Sequence, residues 1–285
     1  MSKENHKMKK VIAIGALGGS GTRVVAQILK NSGIYMGDNI NHPNDNLIFT
    51  ALFKAPKWYK KASRKDIDKR LRIFDKCMNN KRLTIPESFL LLRSSLFNKT
   101  IGRNYTYYYK LFFRKINPKI SLNYWGWKEP NTQLYLDEIN EFYPNIKYIH
   151  VLRNGLDMSY SKNKNQLKNW GFKYKIQIKE SDSKEKINVK QLDYWIASTK
   201  EILRKREKFK NRFYLLNFSE FCSDPNEEID KLLEFLDLDI EKKKRHSLAQ
   251  LVKIPKTSNR YRKNKINIFR KDQLEYVEDL GFNVN

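Results

Sequence analysis

The sequence predicts an α/β fold, with a parallel sheet flanked by helices on both faces and a mostly helical insertion. Short buried strands alternate with amphipathic helices, which is the order that crossover connections between parallel strands require. A glycine-rich turn directly follows the first strand. Neither an internal repeat nor a flexible linker divides the sequence, so we expect one domain over residues 1–285, with the insertion at about 44–122.

The first half of the chain opens with a strand. The apolar run at 10–14 is short, and glycines separate it from a helical pattern at 22–31. Residues 44–122 mix aromatic and basic side chains at mostly helical spacing. A second short strand is expected at 124–127, and a helix at 132–142 follows it.

The second half repeats the alternation of strand and helix. A buried strand at 146–152 precedes a helix at 155–168, and the lysine-rich residues 171–188 lack periodicity, which indicates a loop. The remaining expected elements are a helix at 189–208 with Leu192, Trp195, Ile196, Thr199 and Leu203 on one face, a strand at 212–217, a helix at 225–235 that starts with Pro225, and a last helix at 271–280 closed by Gly281.

Charge is the unusual feature of the composition. The sequence has 57 Lys and Arg residues against 31 Asp and Glu, a net charge of +26, which favours an anionic partner without identifying it. The mean hydropathy of -0.73 and the lack of an apolar run near the roughly 20 residues that span a bilayer argue against a transmembrane protein. The N-terminus lacks a secretory pattern, so we expect a cytoplasmic location. The two cysteines and four histidines show no metal-binding spacing.

The segment GGSGTR, from Gly18 to Arg23, has the composition of a phosphate-binding loop of the P-loop type. Glycines let backbone N–H groups converge on an anion, and the N-terminus of the next helix adds partial positive charge. Ser20 and Thr22 are expected to add hydroxyl donors, and Arg23 a fixed charge. The lysine of the ATP-binding pattern GxxxxGK[ST] is missing, and the strand at 146–152 is not followed by an acidic residue for Mg²⁺. Transfer of a γ-phosphate is therefore disfavoured.

A second anion site is predicted at the end of the strand at 146–152. Arg153 follows that strand, and Ser161 lies two turns into the next helix. Because the carboxyl ends of parallel strands meet at one rim, both side chains are expected near the first loop. Taken alone, Arg153 could instead pair with Asp157 and leave the serine without a role. Together with the first loop, the pair indicates a nucleotide with phosphates at two places on its ribose.

Five segments resemble motifs of the PAPS-dependent sulfotransferases, in the same order as in that family. Residues 18–23 resemble the loop for the 5′-phosphosulfate of PAPS (3′-phosphoadenosine 5′-phosphosulfate), and RNGLDMSYS at 153–161 is similar to the 3′-phosphate motif. The others are WGWKEPNT at 125–132, which resembles the Lys-Glu-Pro segment of the tyrosylprotein and bacterial branches, LNFSEFCSDP at 216–225, and the terminal segment 260–282 that ends in Gly-Phe.

The sequence departs from the family pattern at several positions. Gly19 stands where arginine or lysine is usual, and Asn154 stands where aspartate is frequent. Phe218 begins the segment in which the family has Tyr-Glu-Asp. Residues 44–122 resemble no motif, and there we expect the acceptor to bind.

The resemblance implies a sulfotransferase that moves the sulfuryl group of PAPS to a hydroxyl or amine acceptor and releases PAP, in line and without a metal. The implied catalytic residues are Lys128, which stabilises charge on the bridging oxygen, and Asp38, the general base. His42, Asp45 and Glu129 remain alternatives for the base. The implied nucleotide-binding residues are Gly18, Gly19, Ser20, Gly21, Thr22, Arg23, Arg153, Ser161, Arg260, Tyr261 and Arg262.

The expected partners are the anionic nucleotide and an acceptor that is a glycan, a lipid or a small molecule. The helical insertion would serve as a lid that binds this acceptor, and no nucleic acid is expected. Two other functions remain open from the residues alone. One is an ATP-dependent kinase with an atypical P-loop, and the other is a non-catalytic basic protein that binds nucleic acid with salt-sensitive affinity.

Overall fold

A four-stranded sheet organises the chain. The computed structural model describes residues 10–102, 104–112 and 124–284. The strands are β1 (Lys10–Ala16), β2 (Tyr124–Lys128), β3 (Lys147–Leu152) and β4 (Phe213–Asn217), in the spatial order β2-β1-β3-β4. β1 and β2 run parallel, with Lys10 opposite Tyr124 and Ile14 opposite Lys128. The parallel sheet and its helical connections confirm the predicted α/β fold class.

The contacts group the described residues into two units. The first consists of residues up to Gly15 together with Arg23–Ile149, and the second consists of Ala16–Thr22 and His150–Asn285. Each unit is described below by itself. The expectation of a single domain with an insertion at about 44–122 stays a prediction.

The first unit is mostly helical outside its strands. The predicted helical segment contains five helices, and its last residues, 113–122, lie outside the described part of the chain. The helices of this unit are α1 (Thr22–Asn31), α2 (Leu47–Phe53), α3 (Pro56–Tyr59), α4 (Arg64–Met78), α5 (Ile85–Leu96), α6 (Tyr105–Phe112) and α7 (Leu136–Phe142), with a 3₁₀ turn at Pro130–Tyr135. α4 and α5 each begin with a capping box, which satisfies orphan amides of the first turn.

Aromatic rings form the core of the first unit around β2. The Trp127 ring stacks on Trp125 at 5.9 Å between centroids and on Phe49 at 5.6 Å. Its indole nitrogen donates to Thr132 Oγ1 at 3.1 Å. Rings of this size bury large apolar areas and have few rotamers. The end of β2, where Lys128 lies, is therefore held in a rigid setting.

The second unit contains seven helices in its described residues. They are α8 (Gly155–Ser159), α9 (Asn165–Trp170), α10 (Lys184–Phe209), α11 (Phe218–Ser223), α12 (Pro225–Phe235), α13 (Lys242–Ala249) and α14 (Lys271–Asp279), with 3₁₀ turns at Gly171–Tyr174, Lys210–Arg212, Arg260–Lys263 and Ile266–Ile268. Throughout the described ranges, no helix is both long enough and apolar enough to cross a bilayer.

Two sequence predictions in this unit were wrong. The helix expected at 155–168 is broken, because α8 ends at Ser159 and α9 begins only at Asn165. The loop expected at 171–188 is shorter than predicted, since α10 already begins at Lys184. The Ser183 side chain caps α10 by accepting a hydrogen bond from the Lys186 amide at 3.2 Å.

Gly21 has a φ of +93° and lies against Phe218. A Cβ at this position would come within 2.1 Å of the Phe218 ring. We expect Gly21→Ala to destabilise the protein by about 3 kcal/mol, because left-handed strain and overpacking add. Gly33 is the matched control, since its φ is +91° and no atom would lie within 4 Å of a Cβ. Gly33→Ala should cost only about 1–2 kcal/mol in urea unfolding; equal losses for the two variants would contradict the clash.

Candidate functional site

The glycine-rich turn joins β1 to α1. Gly19 has a φ of +95°, a region that an arginine or lysine side chain would enter only with strain. The amide and the hydroxyl of Ser20 both donate to the Leu17 carbonyl, at 3.2 and 2.7 Å, and close the turn. Thr22 is buried and begins the helix, so its amide has no intrahelical partner. The turn therefore has the backbone of an anion cradle, and its buried Ser20 hydroxyl stabilises the turn itself.

Phe218, the first residue of α11, supports this turn. Its ring occupies the space that a side chain at Gly21 would need. The guanidinium of Arg153 lies over the same ring at 5.9 Å from its centroid. The departure from the family pattern at Phe218 thus supplies an apolar support beneath the loop.

Arg153 connects the turn to two other segments of the second unit. Its side chain is buried, and Nη1 donates to the Gly19 carbonyl at 3.0 Å. Nη2 donates to Thr257 Oγ1 at 3.1 Å and pairs with Asp157 at 3.4 Å. Both sequence-based alternatives for this arginine are therefore present, since it pairs with Asp157 and also reaches the glycine-rich turn.

Asp157 and Asn154 tie the terminal segment to α8. Asp157 Oδ2 accepts a hydrogen bond from the Asn259 amide at 3.0 Å. Asn154 caps α8 by accepting from the Leu156 amide at 2.8 Å, and its side-chain nitrogen donates to the Asn283 carbonyl at 2.9 Å. A carboxylate could make the cap but could not donate, so asparagine suits this position in the present chain.

In the second unit, Arg260 lies near Arg153, and Lys164 lies near Arg260. Arg260 is half-buried, and burial followed by the charge of Arg153 lowers its pKa. Burial, then Arg260 and Lys184, lower the pKa of Lys164 to about 8. Lys164 donates to the Ser159 carbonyl and, at 3.0 Å, to Asn188 Oδ1. Burial and a neighbouring cation therefore both disfavour the charged forms of Arg260 and Lys164.

The sequence analysis missed Lys164 and Thr257. Lys164 is one of many lysines in its neighbourhood, and its approach to Arg260 depends on tertiary structure. Thr257 lies beyond the sequence motifs, although its position just before Arg260 was a usable signal. Both join the set of candidate anion-binding residues.

Three predicted residues differ from their expected settings. Ser161 lies after the end of α8 rather than within a helix, and its hydroxyl accepts from the Asn163 amide at 3.2 Å. Tyr261 is completely buried in the second unit, so it presents no exposed face on which an adenine could stack. Arg262 is exposed, with its guanidinium 5.9 Å from the Tyr261 ring centroid.

Lys128 is buried at the end of β2 in the first unit, with a side chain that is only 3% exposed. Its ammonium donates to Asp45 Oδ1 at 2.5 Å, and Asp45 Oδ2 accepts from Asn41 at 3.0 Å. A lysine this buried needs a counter-ion, and Asp45 supplies it. Elsewhere in this unit, the exposed Arg23 donates to His42 at 3.4 Å.

Glu129 is a buried carboxyl beside this ion pair. Burial, with a further contribution from Asp45, raises its pKa to about 7, while Lys54 and Lys128 oppose the rise. Both its oxygens accept hydrogen bonds from Asn131, at 2.6 Å from the amide and 3.0 Å from the side chain. Glu129 therefore caps the 3₁₀ turn that follows β2, and its proton equilibrates near neutral pH.

Asp38 lines a cavity of about 300 Å³ in the first unit. Tyr35 donates to Asp38 Oδ2 at 2.9 Å, and Lys110 of α6 donates to the Asp38 carbonyl at 3.1 Å. The remaining lining is mixed in polarity and consists of Gly37, Asn39, Ile48, Cys77, Met78, Tyr109 and Leu111. The exposed Asp38 is thus the candidate base that lies at a cavity.

Over residues 10–102, 104–112 and 124–284, no group of three or more His, Cys, Asp or Glu side chains is arranged to hold a metal ion.

The fold and the glycine-rich turn after β1 define the chain as an α/β protein with a P-loop-like anion cradle. Residues 12–242 match the sequence profile described as the sulfotransferase family. The chain therefore belongs to the sulfotransferase family, as its motifs predicted. No curated protein matches the chain significantly in sequence.

Solved sulfotransferase structures share the fold. The sulfotransferase domain from the Synechococcus PCC 7002 olefin synthase aligns with a TM-score of 0.52 and 14% identity, covering 100% of this chain and 99% of that one. Sulfotransferase STF9 from Mycobacterium avium aligns with a TM-score of 0.50 and 11% identity, covering 97% of this chain and 78% of that one. At such identities the likeness concerns the fold alone.

Proposed function

We propose that this protein transfers the sulfuryl group of PAPS to a hydroxyl or amine of an acceptor and releases PAP. The observation that carries the proposal is the set of hydrogen bonds from Arg153 to Gly19 and Thr257, at 3.0 and 3.1 Å. A single side chain of the second unit thereby couples a phosphate-type turn to a second basic segment. A nucleotide with phosphates on both ends of its ribose suits that coupling.

The cations of the second unit fit a 3′-phosphate. The charge of Arg153 disfavours the charged form of Arg260, and the charge of Arg260 disfavours that of Lys164. A phosphate dianion would relieve this repulsion through charge-assisted hydrogen bonds. We assign the 3′-phosphate to these residues with Ser161, and the 5′-phosphosulfate to the turn at Gly18–Thr22 and to Arg23.

PAPS supplies an activated sulfuryl group. In the transfer, the acceptor oxygen or nitrogen bonds to sulfur, the bond from sulfur to the 5′-phosphate oxygen breaks, and the acceptor proton passes to a base. We assign to Lys128 the stabilisation of the leaving oxygen, because its ammonium is desolvated and an interaction with developing charge is strongest in such a setting. Asp45 holds that ammonium in place.

We assign the role of base to Asp38, because it lines the cavity that an acceptor could enter. Asp45 is engaged by Lys128, and both oxygens of Glu129 are engaged by Asn131. His42 is exposed and lies beside Arg23. A base in the right position contributes on the order of 10²–10⁴ to the rate.

Ligand-induced stabilisation tests the proposal. PAP at about 100 times its dissociation constant should raise the free energy of unfolding by about 2.7 kcal/mol. Arg260→Ala should weaken PAP binding by about tenfold or more, because a hydrogen bond to a charged group is lost. Arg153→Ala should weaken it at least as much, and it also leaves Asp157 unpaired.

Arg245→Ala is the matched control for a lost positive charge, since Arg245 pairs with Asp230 and Asp239 on the second unit. It should leave PAP affinity unchanged. Stabilisation by Mg-ATP without any by PAP would overturn the proposal in favour of a kinase. Equal PAP affinity in Arg260→Ala and Arg153→Ala and in the wild type would remove the second anion site.

Lys164 makes nucleotide binding depend on pH. Its pKa is about 8 in the free protein, and a bound phosphate dianion would raise it, so binding above pH 8 is linked to proton uptake. We expect PAP affinity to fall about tenfold between pH 7 and pH 9, measured by calorimetry. Lys164→Met should bind more weakly at pH 7 and show a flatter profile over this range. Parallel profiles for the two proteins would show that Lys164 does not face the nucleotide.

Lys128 and Asp38 should affect turnover more than nucleotide affinity. We expect Lys128→Ala and Asp38→Asn each to lower kcat by about 10²–10⁴ in transfer of labelled sulfate from PAPS, while PAP affinity changes little. Asp45→Asn tests whether Asp45 and not Asp38 is the base. This substitution removes the Asp45 carboxylate, which is also the counter-ion of Lys128, and leaves Asp38 unchanged. An Asp38→Asn enzyme with full turnover would return the role of base to Asp45, His42 or Glu129.

A further inference from the structure

The exposed apolar side chains of the first unit are concentrated on and next to α5 and α6. Of the eight large hydrophobic residues that are exposed in the described chain, six lie on or next to α5 and α6. Three of them are at least 80% exposed: Ile85 at 87%, Phe97 at 81% and Tyr105 at 80%. We call this surface the α5–α6 face, and it consists of Ile85, Phe89, Leu96, Phe97, Tyr105 and Tyr109. Contiguous exposed apolar surfaces generally mark an interaction site.

The spacing along α5 makes this surface a continuous stripe. Ile85, Phe89, the half-buried Leu92 and Leu96 are separated by four, three and four residues, which places them on one side of a helix. α5 is anchored by another side, through Leu91 and Ser95, and Ser95 is hydrogen-bonded to Tyr107 of α6 at 2.7 Å. The exposed stripe is therefore additional to the side that holds the helix in the fold.

Basic residues flank the stripe in the sequence and are interspersed with it. Residues 81–112 contain six Lys and Arg residues and one acidic residue, Glu87, which pairs with Lys76 at 2.7 Å. The exposed basic residues of this segment in the described chain are Lys81, Arg82, Arg93, Lys99 and Lys110. An apolar stripe with a basic border is the pattern of a helix that lies in the interface of an anionic bilayer.

We propose that the α5–α6 face docks the protein on an anionic lipid surface. The apolar side chains would enter the acyl boundary, and the basic border would meet the lipid phosphates. Two copies of this face would bring like charges together, which disfavours a dimer through it. Tyr109 and Lys110 also line the cavity that contains Asp38, so docking would bring part of the cavity lining to the level of the headgroups. The proposal does not depend on sulfuryl transfer.

Vesicle co-sedimentation tests the apolar part. The protein of residues 1–285 should bind vesicles of phosphatidylcholine with phosphatidylglycerol, and bind phosphatidylcholine alone weakly. The variant Ile85→Ser, Phe89→Ser, Leu96→Ser, Phe97→Ser should lower the partition coefficient by about tenfold or more, because apolar insertion is lost. The matched control is Leu251→Ser with Ile254→Ser, at the two other exposed hydrophobic positions, and it should bind like the wild type.

A second pair of variants tests the basic border. Arg82→Gln, Arg93→Gln, Lys99→Gln should weaken binding to the anionic vesicles, whereas Lys242→Gln, Lys243→Gln, Lys244→Gln on exposed α13 removes the same charge and should have little effect. If the two triple variants lose vesicle binding equally, net charge alone would account for the attraction to the membrane. That result would overturn a specific docking face.

Three further outcomes would overturn the proposal. One is a wild-type protein that does not bind anionic vesicles, and another is a serine variant that binds them as tightly as the wild type. The third is a dimer in light scattering that the serine substitutions dissociate, which would assign the face to a second copy. PAP-induced stabilisation is measured on the same preparations, so that failure of the nucleotide site and failure of the lipid surface are separate results.

Discussion

The buried guanidinium of Arg153 is the interaction on which the candidate nucleotide site depends. A charged group removed from water requires partners, and Arg153 finds them in three segments that are far apart in sequence. Gly19 and Thr257 supply oxygen acceptors, and Asp157 supplies the opposite charge. Because the planar guanidinium of Arg153 is hydrogen-bonded to both segments, the turn after β1 and the terminal segment cannot move independently. The same donors that now bind protein oxygens have the geometry that bidentate recognition of phosphate uses.

The net charge of the protein indicates its function less well than the local settings of a few cations in the second unit. A net charge of +26 attracts any anion. Arg260 and Lys164 are partly desolvated, and each lies near another cation that disfavours its charge. An anion bound at the proposed site would offset that repulsion. Function is therefore better indicated by a few neighbouring, partly buried cations than by the total number of charges.

The parts of the structure that depend on local pattern could be predicted from the sequence, and the parts that depend on distant contacts could not. The boundaries of α1 were correct, because a buried strand, glycines and an amphipathic helix follow one another directly. Residues 160–164, where the helix is interrupted, contain neither proline nor glycine, so no local signal predicts the break. Tyr261 lies between two arginines, which indicates a surface, yet tertiary packing buries it completely. The pKa of Lys164 is lowered because the fold buries its ammonium and brings Arg260 and Lys184 close.

The end of β2 in the first unit contains buried charged groups. Lys128 and Glu129 are adjacent and almost fully buried, and Asp45 lies against the lysine. Replacing a buried ion pair with well-packed apolar residues is often neutral or stabilising, so stability alone does not require these groups. The aromatic core around Trp127 could accommodate apolar neighbours at this place. The proposed reaction would give Lys128 a role that stability does not require, because a desolvated ammonium interacts with developing negative charge more strongly than it would in water.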